Sequence, residues 1–269
     1  MSVKESLLTR TRSLPRRLLE FCLRMQRQAG GLVSIRGHHV FTPGLGRSSV
    51  VIDAGAHLGE FSLEIADRFG CLCYAIEPVP ELFSLIPEHP QIKRFRFALG
   101  GTDGEAVLHL SDNPEAHSVH ADIASAFGSR GTRVAADLTS LESFLEQTGL
   151  ENTDLLKLDI EGCEVAVLED TRQETLQRIG QISVEFHDFL DSFRERCPFT
   201  AIKRRLRRAG FTCIVFSRPA GNHADTLFIN HRRHRLGPGR RLNLFLMRHV
   251  TLELQRLLHL TRSLFSSES

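Results

Sequence analysis

A few carboxylates, one histidine and two glycines in this chain have the types and spacing to do chemistry. Gly55-x-x-x-Gly59 follows a short apolar run that closes on Asp53, and it opens an apolar-periodic segment. Glycine at both positions clears side chains from the backbone, and free N–H groups at the start of the following helix favour a polar or negative ligand group. The turn therefore reads as a nucleotide cradle, with an ordinary strand-to-helix turn as the plain alternative. Glu77 lies at the distance beyond it where a carboxylate reaches both hydroxyls of a ribose, and Pro78 stiffens the chain that follows. Asp53 can brace the glycine turn or touch the ligand, and the structural role is preferred. Asp159 and Glu161 bring two acids to one strand end, where a carboxylate of raised proton affinity accepts a proton. Lys157 shares a strand face with Asp159, so an internal ion pair is the alternative for that couple. His187 closes a further apolar run beside Glu185 and reads as a general base or as a structural histidine.

The elements that must hold these residues follow from periodicity. Val50, Val51 and Ile52 are β-branched without polar alternation, as in a strand buried on both faces. A helix over 59–69, the strand CLCYAIEP, a short helix over Glu81 to Ile86 and a third strand, IKRFRFAL, come next. After 131 the order resumes with LTSLESFLEQTG, a helix capped by Thr139 or Ser140 and stopped by Gly149. The strand DLLKLDIEG leads into a helix from Cys163, with a further helical piece through Ile179, and QISVEFH is a fifth strand. CPFTAIKRRLRRAG reads as a helix, and FTCIVFS and DTLFIN as a closing strand pair around a turn at Pro219. Alternating strands and helices imply an α/β, Rossmann-like parallel sheet covered on both faces. Its ligands bind at the carboxyl ends of the strands, where Asp53, Glu77, Asp159, Glu161 and His187 all fall. The polar stretch 100–131 interrupts the rhythm with a turn, an edge hairpin and a loop, and is the expected substrate lid.

The chain of 269 residues has 41% hydrophobic and 25% charged residues and a formal net charge of +2, which fits one α/β domain with arms and argues against a nucleic-acid binder. The expected division is a basic helical arm over 1–47, the main domain over 48–230 and a basic amphipathic helix over 231–269. That last helix suits a membrane surface or a homodimer contact. Six cysteines without a CxxC pair read as small buried residues of a reducing, cytoplasmic compartment, and no metal site is assigned.

VIDAGAHLGEFS, AIEPVP, the ALG turn, DLLKLDIEGCEVAVLED and ISVEFH, in this order and spacing, resemble the FkbM-type S-adenosylmethionine-dependent methyltransferases over about residues 48–190, with weaker support to 230. The resemblance implies a class I methyltransferase fold, a seven-stranded, mostly parallel sheet closed by an antiparallel hairpin. It implies S-adenosylmethionine as cofactor and O-methylation of a hydroxyl on a small-molecule or glycan acceptor, often a sugar. Carried over by position, Asp53, Gly55, Ala56, His57 and Gly59 line the methionine end of the cofactor. Glu77 and Pro78 meet the ribose, Ala98 and Leu99 the adenine, and Asp159, Glu161 and His187 the methyl group and acceptor. His187 or Asp159 is then the expected base, with Glu161 orienting the acceptor or the cofactor. His57 stands where the family commonly has Asn, and LTSLESFL lacks the acidic pair often found there. The rival readings are an NAD-dependent oxidoreductase, disfavoured by the missing GxGxxG spacing, and a catalytically idle binding or membrane-docking protein.

Overall fold

The computed structural model describes residues 31–112, 117–126, 128–187, 198–216 and 225–234, with 237, 239 and 244. The chain divides into two compact units, residues 1–33 with 236–269, and residues 34–235. The helices expected over 6–28 and from 240 onward lie almost wholly outside the described residues, as does the turn at Pro219.

A hairpin of β1 (Leu32–Ile35) and β2 (His38–Phe41) comes first. Its turn residues Arg36 and Gly37 both have positive φ, 46° and 87°, the backbone of a type I′ turn that matches strand twist. There follow β3 (Val50–Ala54), α1 (Glu60–Phe69), β4 (Leu72–Ile76), α2 (Pro80–Leu85), β5 (Ile92–Phe95), β6 (Ala98–Gly100) and β7 (Gly104–Ser111). Next are α3 (Ala121–Ala126), β8 (Ser129–Ser140), α4 (Leu141–Thr148), β9 (Thr153–Leu158), α5 (Glu164–Asp170) and α6 (Gln173–Gln177). The described chain closes with β10 (Ile179–Glu185), α7 (Phe199–Ala209), β11 (Phe211–Val215) and β12 (Asp225–Asn230).

Seven strands form the main sheet in the order β11-β12-β10-β9-β3-β4-β5. The pairs β3/β4, β3/β9, β4/β5 and β9/β10 are parallel, and β12 runs antiparallel to both β10 and β11. This is the Rossmann-like sheet and closing antiparallel pair that the sequence implies. The chain winds outward from β3 to β5 and returns on the other side of β3 as β9, so strand order reverses between β3 and β9. A crevice therefore opens where these two strands end, at residues 53–59 and 157–161.

The central strands are apolar because helices cover both faces: Val51, Ile52, Leu155, Leu156, Ile182 and Val184 are fully buried. Each such side chain contributes about 1.5–3 kcal/mol relative to exposure. Gly59 and Gly70, at φ 74° and 72°, bracket α1, whose Phe61, Ile65 and Ala66 pack inward. Ser140 caps α4 by accepting from the Ser143 N–H at 3.2 Å, and Gly149 ends it in the left-handed region. Hairpin strand β2 is fixed to the sheet by the buried Gln181 amide, which accepts from Phe41 N–H and donates to Phe41 C=O, both at 2.8 Å.

Three expectations change. The run IKRFRFAL is not one strand: β5 ends at Phe95, and Ala98–Gly100 pairs with β8 in a separate sheet. Lys93 and Arg94 are exposed whereas Ala98 and Leu99 are buried, so the run crosses from an edge strand into a second packing layer. The stretch over 100–131 belongs to that three-stranded sheet, ordered β6-β8-β7, with α3 beside it. Ile179 opens β10 rather than ending a helix, and β10 stops at Glu185, so His187 lies just past the strand.

Candidate active site

A cavity of about 460 Å³ occupies the crevice at the strand ends, within the range of small-molecule sites. Its floor is the turn after β3. Gly55 N–H and Ala56 N–H both donate to Ile76 C=O, at 3.0 and 2.9 Å, which locks the glycine turn to β4. Gly55 has φ 75°, and a Cβ there would lie 1.8 Å from the Asp159 carbonyl oxygen, so no other residue fits. His57 is also left-handed, at φ 52°, and its backbone N–H donates to Glu77 at 2.9 Å. Glu77 is buried, with its other oxygen accepting from Val79 N–H at 2.9 Å. Burial pushes its proton affinity up to about 7 against those two amide bonds. Ala56, Pro78, Ala98 and Leu99 complete this end of the wall.

Asp53 and Gly59 lie elsewhere. Asp53 is fully buried under the floor, where it accepts from Ser62 Oγ at 2.7 Å and pairs with Lys157 Nζ at 3.0 Å. Asp53 and Lys157 face each other in register across β3 and β9. Lys157 Nζ also donates to Gly55 C=O at 2.8 Å, so one buried ammonium binds the end of β3 and the glycine turn together. Gly59 serves the helix start, and a Cβ there would meet Ile86 at 2.8 Å.

The other end of the cavity is acidic. Asp159 lines it, 3.3 Å from His38 Nε2 and 3.7 Å from Lys157 Nζ. Burial works to raise its proton affinity, yet Lys157 and His38 hold Asp159 well below the usual carboxylate range. Asp159 is therefore a weak base. Glu161 lines the cavity in left-handed backbone, φ 51°, and burial raises its proton affinity to about 6 despite His187. His187, expected to face the acceptor, does not line the cavity. It is 3% exposed and stands between two carboxylates, Nε2 3.0 Å from Glu161 and Nδ1 3.1 Å from Glu164. Burial disfavours its charge, but the two carboxylates outweigh burial and raise its proton affinity well above normal, so the ring is a cation and not a free base.

Sequence reasoning missed Glu164, His38 and Arg36. Glu164 is fully buried at the start of α5, where its carboxylate accepts from Ile160 and Gly162 N–H groups at 3.0 to 3.2 Å. An acid in a first helical turn, two residues after Gly162, was the available signal. His38 and Arg36 reach the cavity from the hairpin, which no local motif announces. Glu185 also lines the cavity. Of the expected lid, His117 and Val119 form wall, and Ser118 Oγ donates to the Glu161 carbonyl.

Residues 53–213 match the model of the methyltransferase FkbM domain. The chain belongs to the FkbM methyltransferase family. The relatives of this FkbM-family chain include the AMB antimetabolite synthetase AmbE of Pseudomonas aeruginosa, 27% identical over 205 residues. That match takes in 62% of this chain but only 10% of AmbE, so the chain spans about a tenth of that relative's length. Methyltransferase 1 of Beauveria bassiana is 26% identical over 189 residues, covering 62% of this chain and 74% of the relative. Among solved structures, Aeropyrum pernix fibrillarin with bound S-adenosyl-L-methionine is similar at 10% identity, over 76% of this chain and 72% of fibrillarin, with a TM-score of 0.35. A methyltransferase from an antibiotic biosynthesis pathway of Anabaena variabilis shares 17% identity over 64% and 59% of the two chains, with a TM-score of 0.32.

Residues 53–213 are thus an FkbM methyltransferase domain on a seven-stranded Rossmann-like sheet, and the sequence resemblance implies S-adenosylmethionine as its cofactor. Its residues fit that cofactor: the acceptor-only Glu77 carboxylate suits the ribose hydroxyls, and the apolar Ala98 and Leu99 suit a purine face. His57 Nε2, buried without a hydrogen-bond partner on the side chain of a wall residue, leaves a polar atom to be satisfied there.

Two donor sets, His38 with Asp159 and Glu185, and Asp159 with Glu161 and His187, each place their ligand atoms within 4.8 Å of one another. The chain supplies its own cations to these acids, Lys157 at Asp159 and His187 at Glu161. Among the described residues no helix is long and apolar enough to cross a membrane.

Proposed function

We propose that this enzyme methylates a hydroxyl oxygen of a sugar, glycan or glycosylated small molecule, with Glu161 as the general base. One observation carries the reading: Glu161 is a cavity-wall carboxylate whose proton affinity, about 6, suits a base working near neutral pH. When bound, S-adenosylmethionine supplies a methyl group on a positive sulfur. Held by Glu77 and the glycine turn, it would supply that methyl group in exchange for the acceptor hydroxyl's proton, which would pass to Glu161. Lys157 keeps Asp159 ionised beside it, and Glu77 holds the ribose. His117 and Val119 belong to the acceptor wall. Glu161→Gln should lower turnover by about 10²–10⁴-fold while S-adenosylhomocysteine still binds. The assay is transfer of a labelled methyl group from S-adenosylmethionine to a panel of glycosides and polyols. Label on nitrogen or carbon, or full turnover by the Gln variant, would sink the reading.

Glu77 makes cofactor binding depend on pH. Ribose hydroxyls donate to the ionised carboxylate, so affinity for S-adenosylhomocysteine should rise as pH passes upward through about 7. Between one unit below and one above, the ionised fraction and hence the affinity change about tenfold. Calorimetry at both pH values tests it, and the pH dependence should vanish in Glu77→Gln. We place the enzyme in the cytoplasm and assign the basic segment 231–269 to a membrane surface or a homodimer contact. Liposome sedimentation and sizing, with and without residues 240–269, separate those two roles.

A further inference from the structure

Among the described residues, His187 is the most thoroughly enclosed cation that the methyl-transfer reading does not yet use. It lies past the end of β10 and is held from one side by Glu164, the first residue of α5. The same Glu164 carboxylate accepts the N–H groups of Ile160 and Gly162, the residues on either side of Glu161. From the other side His187 Nε2 meets the Glu161 carboxylate at 3.0 Å. Glu161 is further restrained through its own carbonyl, which accepts from Ser118 Oγ on the segment that walls the cavity. The loop carrying Glu161, the ring that receives it and the wall above it are therefore joined through one buried acid and one buried imidazole.

We propose that His187 is a positioning residue, fixed by Glu164, which holds the Glu161 carboxylate against the cavity wall in the orientation that accepts the acceptor's proton. The inference rests on the reading of Glu161 as base. A carboxylate in left-handed backbone at a cavity wall has many orientations open to it, and the opposite charge 3.0 Å away favours the one that faces the ring. The surrounding charges give the pairing a sign that can be measured. Burial, Asp159 and Glu164 all favour the protonated form of Glu161, and His187 opposes them. Facing His187 are Glu164 of α5, Glu161 and Asp159 of the loop after β9, and Glu185 of β10. Among the described residues, no partner of Glu161 other than the imidazole makes its carboxylate easier to ionise.

The test uses the full chain and needs no acceptor, so its failure is separate from failure of the methyl-transfer assay on Glu161→Gln. Glutamate labelled with ¹³C at the side-chain carboxyl is titrated by NMR, and the Glu161 signal is the one missing in Glu161→Gln. A midpoint near 6 is expected for the unaltered chain, moving up by about 1–3 units in His187→Gln, which loses the opposite charge. In Glu164→Gln the His187 ring should lose its proton at lower pH than in the unaltered chain. An unmoved Glu161 midpoint in a folded His187→Gln variant would overturn the proposal. Should that variant fail to fold, the ¹⁵N imidazole spectrum of the unaltered chain at pH 8 decides. Two protonated ring nitrogens uphold the pairing, and a neutral His187 ring overturns it.

Discussion

Lys157→Ala should cost the fold about 3–5 kcal/mol, the range for leaving a buried charge without its partner. Asp53 is fully buried and Lys157 is 3% exposed, so water cannot take over the lost contact. The ammonium sits 3.0 Å from Asp53 and donates to Gly55 C=O at 2.8 Å, so its removal frees the glycine turn as well as stranding the acid. Against a typical total of about 5–15 kcal/mol, such a loss leaves a marginal protein. Urea unfolding followed by circular dichroism measures it. The double variant Asp53→Asn, Lys157→Met should recover much of the loss, because it removes both charges and keeps the aliphatic stem. A single variant that loses less than about 1 kcal/mol would mean that the pair does not support the crevice.

The second large effect is at Gly55. Alanine there would set a Cβ 1.8 Å from the Asp159 carbonyl oxygen and hold a residue with a side chain at φ 75°. The obstacle is backbone, and Asp159 N–H is itself bonded to Ala54 C=O at 3.2 Å, so retreat would break the β3–β9 junction. Left-handed backbone alone costs about 1–2 kcal/mol, and displacement of the turn adds to it. We expect Gly55→Ala to weaken S-adenosylhomocysteine binding by about a hundredfold or more, which is about 2.7 kcal/mol. Gly37→Ala is the control. It has positive φ too, but nothing lies within 4 Å of the added carbon, so only the backbone cost of about 1–2 kcal/mol should appear, with binding unchanged. Calorimetric titration of both variants tests the contrast. Equal binding by Gly55→Ala and the unaltered chain would separate the glycine turn from the cofactor.

How far these features were legible depends on how local their causes are. Val50–Ala54, the glycine turn and the strand before Asp159 announce themselves through side-chain type and short spacing, and they stand where the pattern places them. Glu77 and Pro78 reach the cavity from the end of β4 as the pattern implies, whereas Ala98 and Leu99 reach it from β6 in the second sheet. The split of residues 92–99 between two sheets was not legible, because IKRFRFAL alternates as well as one strand would and its partner β8 lies some forty residues on. His187 reads from sequence as a general base or a structural histidine, and the choice was not legible because Glu164, whose carboxylate closes on it, lies 23 residues earlier on another element. Asp53 and Lys157 were each visible as ionisable groups on buried strands, yet only the register of β3 against β9 pairs them.

Glu161 occupies backbone at φ 51°, in the region where glycine is at ease and a side chain costs about 1–2 kcal/mol, with Gly162 at φ 104° directly after it. Changing Glu161 to glycine or asparagine would relieve that backbone cost but would take from the buried His187 one of its two carboxylates. On our proposal that Glu161 is the base, a carboxylate retained in this costly backbone is the mark of a working member of the lineage.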